Sequence, residues 1–84
     1  MPKKNKLTDV QLDRLNQLKF QLCHAIDRSI HRNQWSYADA ARMLRVDKVV
    51  ISRITNKKIE RLTLNQLFEY LVRVRPNFEF LVSV

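Results

Sequence analysis

The chain has 84 residues, one cysteine, no glycine and a formal net charge of +8. This length holds one domain, and a single cysteine rules out an internal disulfide. No apolar run exceeds three residues, so no segment reads as membrane-spanning. Without glycine there is no P-loop, no dinucleotide-binding fingerprint and no nucleophile elbow, since each needs glycine's backbone freedom. Sixteen Lys and Arg against eight Asp and Glu point to a polyanionic partner, either nucleic acid or an anionic surface. The start, MPKKNK, has no secretory pattern, and a reducing cytoplasmic setting is expected. A core this small gains from self-association.

Residues 1–7 read as a basic, flexible tail containing Lys3, Lys4 and Lys6. Thr8 and Gln11 form a capping box, with Leu7 and Leu12 placed as a hydrophobic staple. Leu12, Leu15, Leu18, Leu22, Ile26 and Ile30 recur at spacings of three and four, which predicts one amphipathic helix from about 9 to 33. Phe20 falls off that stripe, either as a second contact surface or as an exposed aromatic. Ser36 starts a second helix whose inner face is Ala40, Ala41 and Leu44. Asp47 is placed to cap a third, from Lys48 to Asn56, with Ile51 and Ile54 facing inward. A basic connector, Asn56-Lys57-Lys58, leads towards a second capping box, Thr63 with Gln66. The helix after it carries Leu64, Leu67, Leu71 and Val74 and is stopped by Pro76. Residues 77–84 change period: Phe78, Phe80, Val82 and Val84 alternate with other residues, which predicts a short strand. With no second strand to pair with, it is expected to pair across a homodimer, with Phe78, Phe80 and Val82 at the interface. The alternative is an extended tail packed on the helices. The domain proper is thus expected over residues 8–76.

The stretch from Tyr37 to Asn56 carries the functional signal. Two short helices joined by Arg45-Val46-Asp47 have the helix-turn-helix layout. Its close crossing needs a small residue midway along the first helix, and Ala41 is there. Ala40, Leu44, Val46, Ile51 and Ile54 bracket the crossing with apolar side chains. The other face of the second helix carries Lys48, Val49, Ser52, Arg53 and Asn56 and is free to enter a major groove.

The segment WSYADAARMLRVDKVVISRITNKK, with the preceding long helix and the following RLTLNQLFEYLVRV, resembles the lambda-repressor-like (XRE-family) helix-turn-helix regulators. The order of helices and the apolar C-terminal segment resemble small HigA-like antitoxin regulators in particular, over about residues 12–84. The resemblance implies a mainly α fold: a bundle of four to five helices with a short C-terminal β-strand. It implies base reading by Lys48, Val49 and Arg53. Chemistry agrees, since Arg53 can bind guanine bidentately, Lys48 can donate to guanine and Val49 can meet a thymine methyl. Ser52 lies between them and can donate or accept. Tyr37 and Asn56 match phosphate-contacting positions, and Lys57 and Lys58 follow as phosphate ligands. The family usually has glycine at the positions of Arg45 and Lys57, because the backbone at the turn tends to be left-handed. A homodimer on a palindromic operator is expected, with a small toxin protein as a further partner if the antitoxin likeness holds.

Other chemistries have weaker support. Cys23 and His24 are adjacent, so they project about 100° apart on a helix, and His31 lies two turns beyond. No metal-ligand spacing results, and neither metal nor cofactor is expected. Trp35, just before a helix cap, reads as a packing residue. No nucleophile sits beside a plausible base, so an enzyme is not expected. The competing functions are a basic adaptor that binds an acidic protein and a nonspecific nucleic-acid binder. The predicted reading face has no aromatic for stacking on RNA bases, which favours duplex DNA.

Overall fold

The computed structural model describes residues 8–74. Four helices appear in order: α1 (Asp9–Arg32), α2 (Tyr37–Leu44), α3 (Lys48–Thr55) and α4 (Leu64–Val74), with a 3₁₀ turn (Ile59–Arg61) between α3 and α4. The described residues contain no strand. The strand expected over 77–84, its interface residues Phe78, Phe80 and Val82, and the basic tail 1–7 lie outside the described residues.

Helix starts follow the sequence closely. Thr8 accepts from the Gln11 amide at 3.1 Å while its own amide donates to Gln11 Oε1 at 3.0 Å. Ser36 and Asp39 form a reciprocal box at the start of α2, and Thr63 and Gln66 another before α4. The Asp39 carboxyl is held below its ordinary range, first by the Ser36 amide and then by Arg42. Asp47 occupies the N-cap of α3, but its side chain makes no capping hydrogen bond.

Helix ends share one device. After each of the first three helices the chain turns through a residue at positive φ: Gln34 (57°), Arg45 (61°) and Lys57 (57°). Each is followed by the paired hydrogen bonds of a Schellman motif. Trp35 N–H donates to the Ile30 carbonyl, Val46 N–H to that of Ala41, and Lys58 N–H to that of Arg53. A glycine-free chain makes these turns with side chains that bear the left-handed cost, about 1 kcal/mol each.

The core is one cluster drawn from all four helices: Leu22, Cys23, Ile26 and Ile30 from α1, Ala40 and Leu44 from α2, Ile51 and Ile54 from α3, and Leu67, Tyr70 and Leu71 from α4. Leu62 and the partly buried Trp35 and Val46 close its edges. The predicted stripe on α1 is buried only in its C-terminal half. Leu15 and Leu18 are partly covered, and Leu12 remains 46% exposed. The reason is length. At 1.5 Å per residue α1 runs to about 36 Å, whereas α2 and α3 reach about 12 Å each and cannot cover it.

Two stability predictions follow. Gln34→Gly is expected to raise unfolding free energy by about 0.5–1 kcal/mol, because Gln34 is exposed and contributes strain at this position. Gln34→Val should lower it, and urea titration of both variants checks the pair. Cys23 provides the second. Burial pushes its thiol up to about 11, with Lys57 opposing and Asp27 adding to the rise. The folded state therefore keeps this proton longer than the unfolded state. Its contribution is intact below about pH 9 and is lost as pH rises through about 11. The Tyr70 phenol, raised first by burial and then by Glu69, acts in the same direction. Alkaline denaturation midpoints should fall over that window, and less steeply in Cys23→Ala.

Candidate nucleic-acid interface

The interface is built on α3, whose rotation is fixed by its buried side. Ile51 and Ile54 are fully buried. At 100° per residue, Lys48, Val49, Ser52, Arg53 and Asn56 lie on the opposite side. Lys48, Asn56 and Lys58 are exposed, Val49 is 53% exposed, and Ser52 and Arg53 are half-buried. The four expected base-reading residues, Lys48, Val49, Ser52 and Arg53, thus share one face.

Hydrogen bonds hold that face and its ends. Asn56 Nδ2 donates to Ser52 Oγ at 3.1 Å. Thr55 Oγ1 donates to the Ser52 carbonyl at 3.2 Å and lies 2.8 Å from the Tyr37 hydroxyl. With the threonine proton used, Tyr37 is the donor in that contact. Tyr37 remains 45% exposed and so combines a link between the first turn of α2 and the last turn of α3 with an open aromatic edge.

The turn between α2 and α3 is secured from behind. Arg73 on α4 donates through Nη1 to the Leu44 carbonyl, one residue before the left-handed Arg45. Glu69 holds the same guanidinium at 2.6 Å. A cation at the C-terminal end of α2 also complements its dipole. Sequence reasoning missed Arg73. The available signal was the Glu69-Arg73 spacing of four on α4, which is ordinary for a surface pair and says nothing about Leu44.

Lys57 is placed differently from its neighbours. Its ammonium lies 3.2 Å from Asp27 Oδ2 on α1 and 6.0 Å from the centroid of the Phe20 ring. Both partners in the ion pair are largely covered. Of the four residues expected at phosphates, Tyr37, Asn56 and Lys58 face outward, while Lys57 is turned towards α1. Phe20, half-exposed, serves as the flank of that ion pair. Asp27 was missed because nothing in its local pattern marks a partner thirty residues away.

Among the described residues, Lys48, Arg53 and Lys58 make no ion pair; the pairs found between charged side chains are Arg42–Asp39, Lys57–Asp27 and Arg73–Glu69, and His31 Nδ1 lies 3.3 Å from Asp27 Oδ1. The cations on and beside the outward face of α3 are therefore uncompensated within this region. The described residues also hold no cluster of three potential metal ligands and no helix long and apolar enough to cross a membrane. Cys23 is buried, while His24 and His31 are exposed.

Comparison with known proteins agrees with this geometry. Residues 4–79 match a family described as a helix-turn-helix domain. No curated protein and no solved structure matches the chain. With the match spanning most of its length, the chain belongs to the helix-turn-helix domain family, the fold of DNA-binding regulators.

Proposed function

We propose that this protein is a sequence-specific regulator that binds duplex DNA, a repressor that occupies a palindromic operator as a homodimer. The observation that carries the reading is the outward face of α3. Two cations without ion-pair partners among the described residues, Lys48 and Arg53, stand with Val49 and Ser52 on a helix anchored behind by Ile51 and Ile54. Guanine edges suit the two cations and a thymine methyl suits Val49. Asn56 and Lys58 flank that face and suit phosphates, which fix register and supply the salt-dependent part of affinity, whereas the Tyr37 hydroxyl reaches a phosphate only by giving up its bond to Thr55.

One such helix reads only a few base pairs. Two copies on half-sites about one helical turn apart supply the rest, which supports the dimer. The likeness of residues 12–84 to small HigA-like antitoxin regulators supports a second role, in which the same chain grips and blocks a small toxin protein. Membership of the helix-turn-helix family supports a cytoplasmic location, where duplex DNA is met, and no enzymatic activity is proposed.

Arg53→Ala should cost about 1–3 kcal/mol on the best duplex and relax its preference there. Lys58→Ala should weaken all duplexes alike and lower the salt slope by about one. Fluorescence anisotropy on a preferred and a scrambled duplex at several salt concentrations separates the two effects. Undiminished preference in Arg53→Ala would remove that residue from the reading face. Equal binding of both duplexes by the wild-type chain would favour a nonspecific binder.

A further inference from the structure

We propose that Asp27 is a positioning residue that sets the sequence selectivity of α3 in two ways, by holding Lys57 away from the DNA backbone and by fixing the turn that ends α3; this rests on the regulator reading above. Lys57 follows the last turn of the reading helix, in a basic run whose neighbours Asn56 and Lys58 point to solvent. An unrestrained lysine there would reach for a phosphate, a contact that strengthens binding to every sequence. Instead its ammonium is drawn to α1, 3.2 Å from Asp27 Oδ2, beside the Phe20 ring and 3.5 Å from the Thr55 carbonyl.

The pair is built to hold one arrangement. Lys57 carries a left-handed backbone at φ 57°, and the next amide, Lys58 N–H, donates to the Arg53 carbonyl at 2.8 Å. The turn that Asp27 grips is therefore hydrogen-bonded to the backbone of the residue best suited to reading guanine. The other carboxylate oxygen, Asp27 Oδ1, is buried without a hydrogen-bond partner among the described residues, and His31 Nδ1 stands 3.3 Å from it. That nitrogen's hydrogen bond goes instead to the Asp27 backbone carbonyl, at 3.1 Å. Lys57 is thus the one described group that hydrogen-bonds the carboxylate. A largely covered ion pair adds little net stability over an apolar contact, and fixing one geometry is its better-supported use.

The test uses the full chain and a duplex that the wild-type chain enriches from a random-sequence library, beside a scrambled duplex of the same composition. Asp27→Asn keeps the shape and removes the charge. Freed from its partner, Lys57 should tighten binding to the scrambled duplex by about threefold, steepen the salt slope by about one and cut the preference for the enriched duplex by about tenfold. Lys57→Met unfixes the turn but frees no cation, so it should lose about threefold of that preference, by weaker binding to the enriched duplex, without steepening the slope; Lys57→Arg should keep the wild-type preference. Far-UV circular dichroism at the assay temperature reports whether each variant is folded; if Asp27→Asn is not, the Lys57 variants carry the selectivity test. Equal weakening on both duplexes with an unchanged slope would mark the pair as structural only and overturn the assignment. Failure of the wild-type chain to enrich any duplex would overturn the regulator reading and this assignment together. Enrichment with selectivity intact in Asp27→Asn and Lys57→Met would overturn this assignment alone.

Discussion

Burial of Ile51 and Ile54 is the constraint on which the rest of the molecule depends. These two side chains, one turn apart on an eight-residue helix, are fully buried in the core cluster to which all four helices contribute. Enclosing them fixes the rotation of α3, and rotation decides which side chains face outward. A helix this short is not stable by itself in water, so its existence and its orientation have the same cause. Exposure of Lys48, Val49 and Asn56 is the other side of that burial rather than an independent feature.

Orientation about the axis is not enough; the helix must also be held at its ends. At its start, the α2–α3 turn passes through Arg45 in a left-handed conformation, and Arg73 from α4 binds the carbonyl just before it. At its finish, Tyr37 from α2 reaches Thr55, and Asp27 from α1 reaches Lys57. Each of the other three helices thus contributes one polar link to the frame around α3. In many chains glycine would relax such turns. Here three non-glycine residues take the left-handed conformation, and at Arg45 and Lys57 the strained position adjoins a polar link from another helix.

Much of this was legible in the sequence, and where it was not the reason is physical. Capping boxes at Thr8–Gln11 and Thr63–Gln66 are local, involving residues three apart, and they locate helix starts almost to the residue. The spacing of Ala40, Leu44, Ile51 and Ile54 fixes the buried side of the helix-turn-helix, and so its outward face. Periodicity could not show where along α1 the stripe would be covered, because that depends on the lengths of the helices packed against it. Nor could it show the partners of Lys57 and Arg73. Asp27 and Lys57 are thirty residues apart, and Arg73 and the Leu44 carbonyl twenty-nine. Such links exist only once the chain has folded, so a lysine in a basic run reads as a phosphate ligand until its partner is seen. The 3₁₀ turn at Ile59–Arg61 has no capping residue or period to mark it, and the sequence assigns those residues to no element.

The outward face of α3 is proposed to read DNA sequence. Its most direct test is fluorescence anisotropy of the full chain with the DNA lying just upstream of its own start codon, against a scrambled duplex, at low and near-physiological salt. Tighter binding to the native sequence is expected, with a preference that survives at the higher salt, since base contacts do not depend on counterion release. Equal binding to both duplexes, falling together as salt rises, would show that the net charge of +8 acts through phosphates alone and would contradict sequence reading at this site.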